Sequence, residues 1–395
     1  MMKSSQQKVK PALGILLLSL LALSCAQQQQ QGVQLPDQPT AYIGRAACAS
    51  CHPAQAALWE GSHHDLAMQE ANEETVLGDF NGTQFSHAGV TSRFFRRDGK
   101  FMVRTDGPDG RLTDYEIAYT FGVEPLQQYL IEFPGGRYQA LSICWDARPA
   151  SQGGQRWFHL YPDEDISHDD ELHWTGPNQN WNYMCAECHS TKLEKNYQLE
   201  GDRFRTSWSE IDVSCEACHG PGWQHAAWAK EQGGQAAGRG GSMGLAVKLG
   251  EEDAVQWVFD SQTGTAHRQA PPQSRAEIEA CARCHSRRAA LSTEYAHGKP
   301  LMDTHRPALL EETLYFADGQ IRDEVYVYGS FVQSKMHSQG VTCSDCHDPH
   351  KQASLPVRKG SAEGRPRCRS CRPAERITGK DACVTLGSGE NDAGF

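Results

Sequence analysis

Residues 94–158 alternate aromatic or branched side chains with polar ones. A period of two is the mark of a strand with one buried face. Phe101-Met102-Val103-Arg104, Tyr115-Glu116-Ile117-Ala118-Tyr119 and Tyr129-Leu130-Ile131-Glu132-Phe133 carry the pattern most clearly. Asp98-Gly99, Asp109-Gly110 and Gly135-Gly136 supply turns between them. Outside this stretch the texture changes. Residues 53–68, rich in Ala, Leu and Gln, predict a helix. Ser274-Arg275-Ala276-Glu277 has the form of a capping box and predicts the start of another. The expected fold class is α+β: short helices and loops, with a β-rich insert at residues 81–165.

The first apolar run, from Leu16 to Leu23, is too short to cross a bilayer as a mature helix. Lys3, Lys8 and Lys10 precede it, and Ala22-Leu23-Ser24-Cys25 ends it. Residues 1–25 therefore read as an export signal. Small residues before Cys25 favour the bacterial lipoprotein type, although Ala22 stands where Leu is usual. Plain signal cleavage, leaving a soluble periplasmic protein, is the competing reading. In the lipoprotein reading Cys25 carries the lipid, and residues 26–40, with the run Gln27 to Gln31, tether the body to a membrane surface. The formal charge of -11 argues against nucleic acid as a partner.

The chemistry lies in the cysteines. Cys48-Ala49-Ser50-Cys51-His52 recurs in form at Cys185-Ala186-Glu187-Cys188-His189, Cys215-Glu216-Ala217-Cys218-His219, Cys281-Ala282-Arg283-Cys284-His285 and Cys343-Ser344-Asp345-Cys346-His347. Cys-x-x-Cys-His is the attachment site of c-type haem. The two thiols, Cys48 and Cys51 in the first motif, add across the vinyl groups of one porphyrin. The following His ligates its iron. A lone motif fits a zinc or redox site equally well. With 15 Cys and 17 His in 395 residues, chance gives roughly 0.02 matches, and five are present. Five haems c and their irons are the expected cofactors. They would supply much of the interior of a chain that is only 38% hydrophobic. Cys144, in the run Leu141-Ser142-Ile143-Cys144-Trp145, reads as a buried free thiol.

Residues 41–80 form a first haem segment, and residues 166–300 carry three motifs. Residues 301–372 carry the fifth motif and a degenerate sixth, Cys368-Arg369-Ser370-Cys371-Arg372, with Arg where the ligand should stand. Residues 373–395 are polar, lack a packing pattern and are expected as a disordered tail.

Four stretches carry a family resemblance. They are Trp59-Glu60-Gly61-Ser62-His63-His64-Asp65-Leu66-Ala67-Met68, Asn180-Trp181-Asn182-Tyr183-Met184-Cys185, Cys218-His219-Gly220-Pro221-Gly222, and Gly340-Val341-Thr342-Cys343 running on to Cys346-His347-Asp348-Pro349-His350. Over residues 42–371 the chain resembles multihaem cytochromes of the type whose haem domains recur in the tetrahaem partner of hydroxylamine oxidoreductase. It is closest to a subgroup in which such domains precede tetratricopeptide repeats. The resemblance implies helices and loops around stacked c-type haems. It also implies further motifs and repeats after residue 371, so Arg372 and the tail read as a truncated or frame-shifted end.

His52, His189, His219, His285 and His347 are the expected proximal ligands. Iron with His on both faces shuttles electrons, whereas an open face binds small molecules. The resemblance makes His64, with His63 as rival, and His225 distal candidates. His350, stiffened by Pro349, is placed to reach a neighbouring iron. His305 and His337 are even between ligation and ordinary bonding. Arg283, Arg287, Arg288 and Arg306 are candidates to pair with propionates.

Electron transfer between redox partner proteins outside the cytoplasm is the leading reading. The competing one is an oxidoreductase acting on a small nitrogen or sulfur compound, such as nitrite or hydroxylamine, at an open iron. No Cys-x-x-Cys-Lys is present to mark a catalytic haem of the nitrite reductase kind. A scaffold role would depend on the missing repeats.

Overall fold

Strand alternation gives one large antiparallel sheet. The computed structural model describes residues 41–231, 242–249, 257–263, 265–270 and 274–351. The export signal, the tether with Cys25, the degenerate sixth motif and the tail lie outside the described residues. So does most of the Gly-rich stretch at residues 233–244.

The sheet joins β1 (Met68–Glu70), β2 (Thr83–His87), β3 (Val90–Arg97), β4 (Lys100–Asp106), β5 (Leu112–Phe121), β6 (Leu126–Phe133), β7 (Arg137–Ala140), β8 (Ile143–Asp146) and β9 (Arg156–His159). Its order is β2-β3-β4-β5-β6-β8-β9, with β1 added on β5 and β7 on β6. All pairings are antiparallel, as short hairpin connections require. Asp98-Gly99 turns β3 into β4, both residues having positive φ, so Arg97 faces Lys100.

The sheet buries two faces. Phe80 lies at the centre of one, with its ring in edge contact with Phe94, Phe101, Tyr129 and Trp157 at 5.1–5.5 Å. Ile117, Ile131, Leu141, Ile143, Trp145 and Trp174 complete this cluster. The opposite face of β6 presents Leu130. With Met68, Phe121 and Ala140 it receives Trp181 and Ala186, both fully buried. Tyr129 and Leu130 are adjacent in sequence and serve opposite faces, as the pleat dictates. Cys144 is buried and free, and burial holds its thiol well above the ordinary range.

Two sequence expectations are corrected. The helix expected over residues 53–68 stops at Trp59. Gly61 takes φ +75°, a conformation that ends a helix, and a 3-10 turn, Asp65–Ala67, follows. Met68 begins a strand instead. The expected capping box at Ser274 does not form. Ser274 Oγ accepts from the Ala276 N–H at 3.0 Å, but Glu277 turns away to Ser344.

His87 and His159 stack at 4.0 Å between ring centres, at the edge where β2 meets β9. Burial first, and then the nearness of His87, push His159 down to about 4. An unfolded His titrates near ~6.5. The stability gained from a neutral His159 is therefore complete above that pH and lost as pH falls toward 4. Amide-exchange protection in β3 and β9 should fall over this window. His159→Gln should flatten that dependence, and an unaltered slope would count against it. Phe80→Ala should cost about 3–5 kcal/mol of sheet stability. Exchange in β4 and β6 is the readout, and a loss below ~1 kcal/mol would contradict the packing described.

Candidate haem centre

The five motifs sit on short helical turns, and the residues inside them bind the turns to one another. Helix Arg45–Cys51 ends at His52. Its lead-in is held by the third motif, since the Glu216 carboxylate accepts from Ile43 N at 3.0 Å and Gly44 N at 2.8 Å. The fully buried Glu216 also takes Gly222 N at 2.7 Å. Arg45 N bonds Glu210 at 2.8 Å, and the Trp59 indole donates to Val213 O at 3.2 Å. The first and third motifs are thus fastened together.

The second motif is fixed to the sheet. Asn180 caps its leading helix, Trp181–Met184. Asn182 accepts from Tyr138 N at 2.8 Å and donates to Gly136 O at 3.1 Å. Inside the motif, Glu187 faces the fourth, lying 3.7 Å from Arg283 and 3.2 Å from Arg288. His305, fully buried, bonds the same carboxylate at 3.1 Å. Burial would raise Glu187, but the His305 bond and the Arg288 and Arg283 charges outweigh it and hold the carboxyl at about 2. The Cys188 thiol lies 3.9 Å from Cys284 O.

The fifth motif docks on the fourth. Glu277, on helix Ala276–Ala282, accepts from Ser344 N at 2.7 Å and Ser344 Oγ at 2.8 Å. Thr342 and Asp345 cap each other around the turn. The fourth motif therefore touches both the second and the fifth. None of the ten motif cysteines forms a disulfide among the described residues.

Three imidazole pairs stand out. His52 faces His225 at 6.0 Å between ring centres, His64 faces His285 at 6.2 Å, and His219 faces His350 at 6.1 Å. Each pair joins one motif histidine to one from elsewhere. Two metal–nitrogen bonds of about 2.0 Å plus two ring radii of about 1.2 Å put ring centres about 6.4 Å apart. That leaves room for one metal ion and fixes the separation without fixing rotation about the shared axis. The angles between ring planes accordingly range from 10° to 68°. His64 Nδ1 bonds Pro349 O at 3.3 Å, and His225 Nδ1 bonds Met243 O at 2.8 Å. A backbone bond on Nδ1 leaves Nε2 as the metal-facing nitrogen. Burial lowers the proton affinity of His64, His285 and His219, the last to about 4, so these rings are neutral at pH 7. Neutral imidazole is the form that binds metal.

The other motif histidines differ. His189 Nδ1 bonds Ala67 O at 2.9 Å, and the ring packs edge-on against Phe121. His347 is exposed. Among the described residues no second imidazole ring packs against either. Gly220, with φ +75°, follows His219 where a Cβ would lie 2.8 Å from Ala246 Cβ. Only glycine fits that approach.

His305 is committed to Thr304 at 2.8 Å and Glu187, and His337 to Arg275 at 2.6 Å, so neither faces a motif histidine. Arg283 and Arg288 pair with Glu187, while Arg287 bonds Glu324 O. The roles of Glu187, Glu216 and Glu277 were not foreseen. The available signal was an acidic residue inside or just before a motif.

Residues 47–85 and 156–220 match the family described as cytochrome c554 and c-prime. The span between them contains β3 to β8. Among solved structures, the outer cell wall cytochrome OcwA is similar at 17% identity, over 81% of this chain and 58% of that one, with a TM-score of 0.46. An undecahaem cytochrome from the S-layer of Carboxydothermus ferrireducens is similar at 17% identity, over 91% of this chain and 46% of that one, with a TM-score of 0.37. The chain spans about half the length of these proteins. No curated protein sequence matches. Among the described residues no helix is long and apolar enough to cross a membrane.

Glu187→Gln would leave Arg283 and Arg288 with one buried neutral partner. It should cost about 3–5 kcal/mol in denaturant unfolding. A change within ~0.5 kcal/mol would show that the second and fourth motifs are held by something else.

Proposed function

We propose that this protein is a multihaem c-type cytochrome that carries electrons through five covalently bound haems. The observation that carries the reading is the set of three imidazole pairs spaced for one metal ion each. The match of two stretches to a cytochrome family supports it.

Cys48 and Cys51, Cys185 and Cys188, Cys215 and Cys218, Cys281 and Cys284, and Cys343 and Cys346 would hold the porphyrins. His52, His189, His219, His285 and His347 would ligate their irons from one side. His225, His64 and His350 would complete the irons of His52, His285 and His219. Haem iron so bound supplies one-electron redox chemistry without exchanging ligands. The bonds of Glu216, Glu187 and Glu277 draw different motifs together, which favours closely spaced haems. Arg283 and Arg288 bury positive charge there and compensate it with Glu187. The chain would work outside the cytoplasm, where c-type haem is attached. Lipid on Cys25 would hold it to a membrane surface, and redox proteins would be its partners.

A second reading has its own observation. His189 and His347 have no imidazole packed opposite them among the described residues. An iron held by either would keep a face for a small nitrogen or sulfur compound, and the protein would then be an oxidoreductase.

Intact mass of the mature protein should exceed that of its polypeptide by five haems. His64→Ala, His225→Ala and His350→Ala should each convert one low-spin haem to high-spin, with haem content unchanged. His305→Ala should convert none. A spectrum unchanged by all three substitutions would overturn the ligand assignment. A high-spin signal in the parent protein that shifts with nitrite or hydroxylamine would favour the oxidoreductase.

A further inference from the structure

Apart from the haem motifs, the sheet encloses a small polar cavity. His87, Ser92, Asp106, Ser142, His159 and His173 supply its polar lining, backed by Leu141, Ile143 and Trp174. It measures about 40 Å³ for water-sized occupants. One water needs roughly 10–15 Å³ on that measure, so two or three non-hydrogen atoms fit.

The walls are a built hydrogen-bond chain. Ser92 Oγ lies 2.7 Å from Thr105 Oγ1, which donates to Asp106 Oδ1 at 3.1 Å. His173 Nε2 bonds Asp106 Oδ2 at 3.1 Å, and the Trp174 indole holds Asp106 O at 2.8 Å. Burial would raise Asp106, but the His173 bond and charge and the Thr105 bond outweigh it, and the carboxyl stays ionised. His87 donates from Nε2 to Glu164 O at 3.1 Å. His159 Nδ1 lies 3.1 Å from Tyr161 N and 3.2 Å from Tyr161 O. Ser142 is 3% exposed, and its hydroxyl is buried with no hydrogen-bond partner. A buried hydroxyl left unpaired is costly, and a bound donor would relieve it.

The charge pattern selects the occupant. No Lys or Arg lines the cavity, and Asp106 is its one carboxylate. Anions are disfavoured there. A metal ion is also disfavoured, because no group of three His, Cys, Asp or Glu among the described residues is arranged to hold one. The remaining chemistry is several acceptor oxygens around a carboxylate.

The geometry points to a binding site for a small ammonium-type cation, two or three non-hydrogen atoms in size, held by Asp106 with the hydroxyls of Ser92 and Ser142. It depends on residues of the sheet and its connecting loops and is independent of the haem assignment.

The test is calorimetric titration of the purified haem-loaded protein with methylammonium chloride, exchanged against sodium chloride at constant ionic strength. So small a ligand is expected to bind in the millimolar range. Asp106→Asn and Ser142→Val should each weaken binding at least ~10-fold, with the haem spectrum and far-ultraviolet circular dichroism unchanged. If Asp106→Asn does not fold, Ser142→Val decides. Absence of saturable heat in the parent protein would overturn the site. So would equal affinity in the folded variants, acetate binding as well as methylammonium, or a haem spectrum that shifts during the titration.

Discussion

The architecture depends on charge held between the cysteines. A Cys-x-x-Cys-His turn buries little surface of its own, so it needs contacts from its two intervening residues. Glu187 in the second motif reaches Arg283 in the fourth. Glu216 in the third holds the backbone that leads into the first. Such charges cost several kcal/mol to bury unless each meets a partner. Each does here: Arg283, Arg288 and His305 for Glu187, and the N–H groups of Ile43, Gly44 and Gly222 for Glu216. Removing one partner while the other stays buried is therefore costly. Glu277 extends the same device, joining the fourth motif to the fifth through two donors of Ser344.

The sheet gives this cluster a rigid edge. Its first face is a self-sufficient aromatic core around Phe80, and it asks nothing of the motifs. Its second face is incomplete without Trp181 and Ala186, which belong to the second motif and its leading helix. Ala67 shows how directly the two parts are coupled. Its carbonyl accepts from Gly122 N at 3.1 Å, beside β5, and from His189 Nδ1 at 2.9 Å. The orientation of a motif histidine is thus set by the sheet.

Legibility in the sequence followed the range of the interaction. Haem attachment is written in five consecutive residues, and strands in a period of two, so the motifs and β4, β5 and β6 could be read directly. Helix ends were less legible. Composition favoured a helix through Met68, whereas Gly61 and the pairing of Met68 with Phe121 decided otherwise. At Ser274 the local capping pattern lost to a distant bond, because Glu277 finds two donors on Ser344. Pairings such as His64 with His285 were beyond any local rule. The sequence offered His64, His225 and His350 as candidates but not which motif each would face. The cavity at Asp106 was also invisible, since its walls come from five strands and the loop after β9.

Burial acts on histidine in both regions of the molecule with opposite consequences. It depresses proton affinity at His64, His219 and His285 as it does at His159. A neutral ring is then common to both, and ring spacing separates them. Centres 6.0–6.2 Å apart suit two imidazoles on one metal ion. Centres 4.0 Å apart, as at His87 and His159, are already in contact and admit nothing between them. Backbone carbonyls at Pro349 and Met243 fix the Nδ1 sides of His64 and His225.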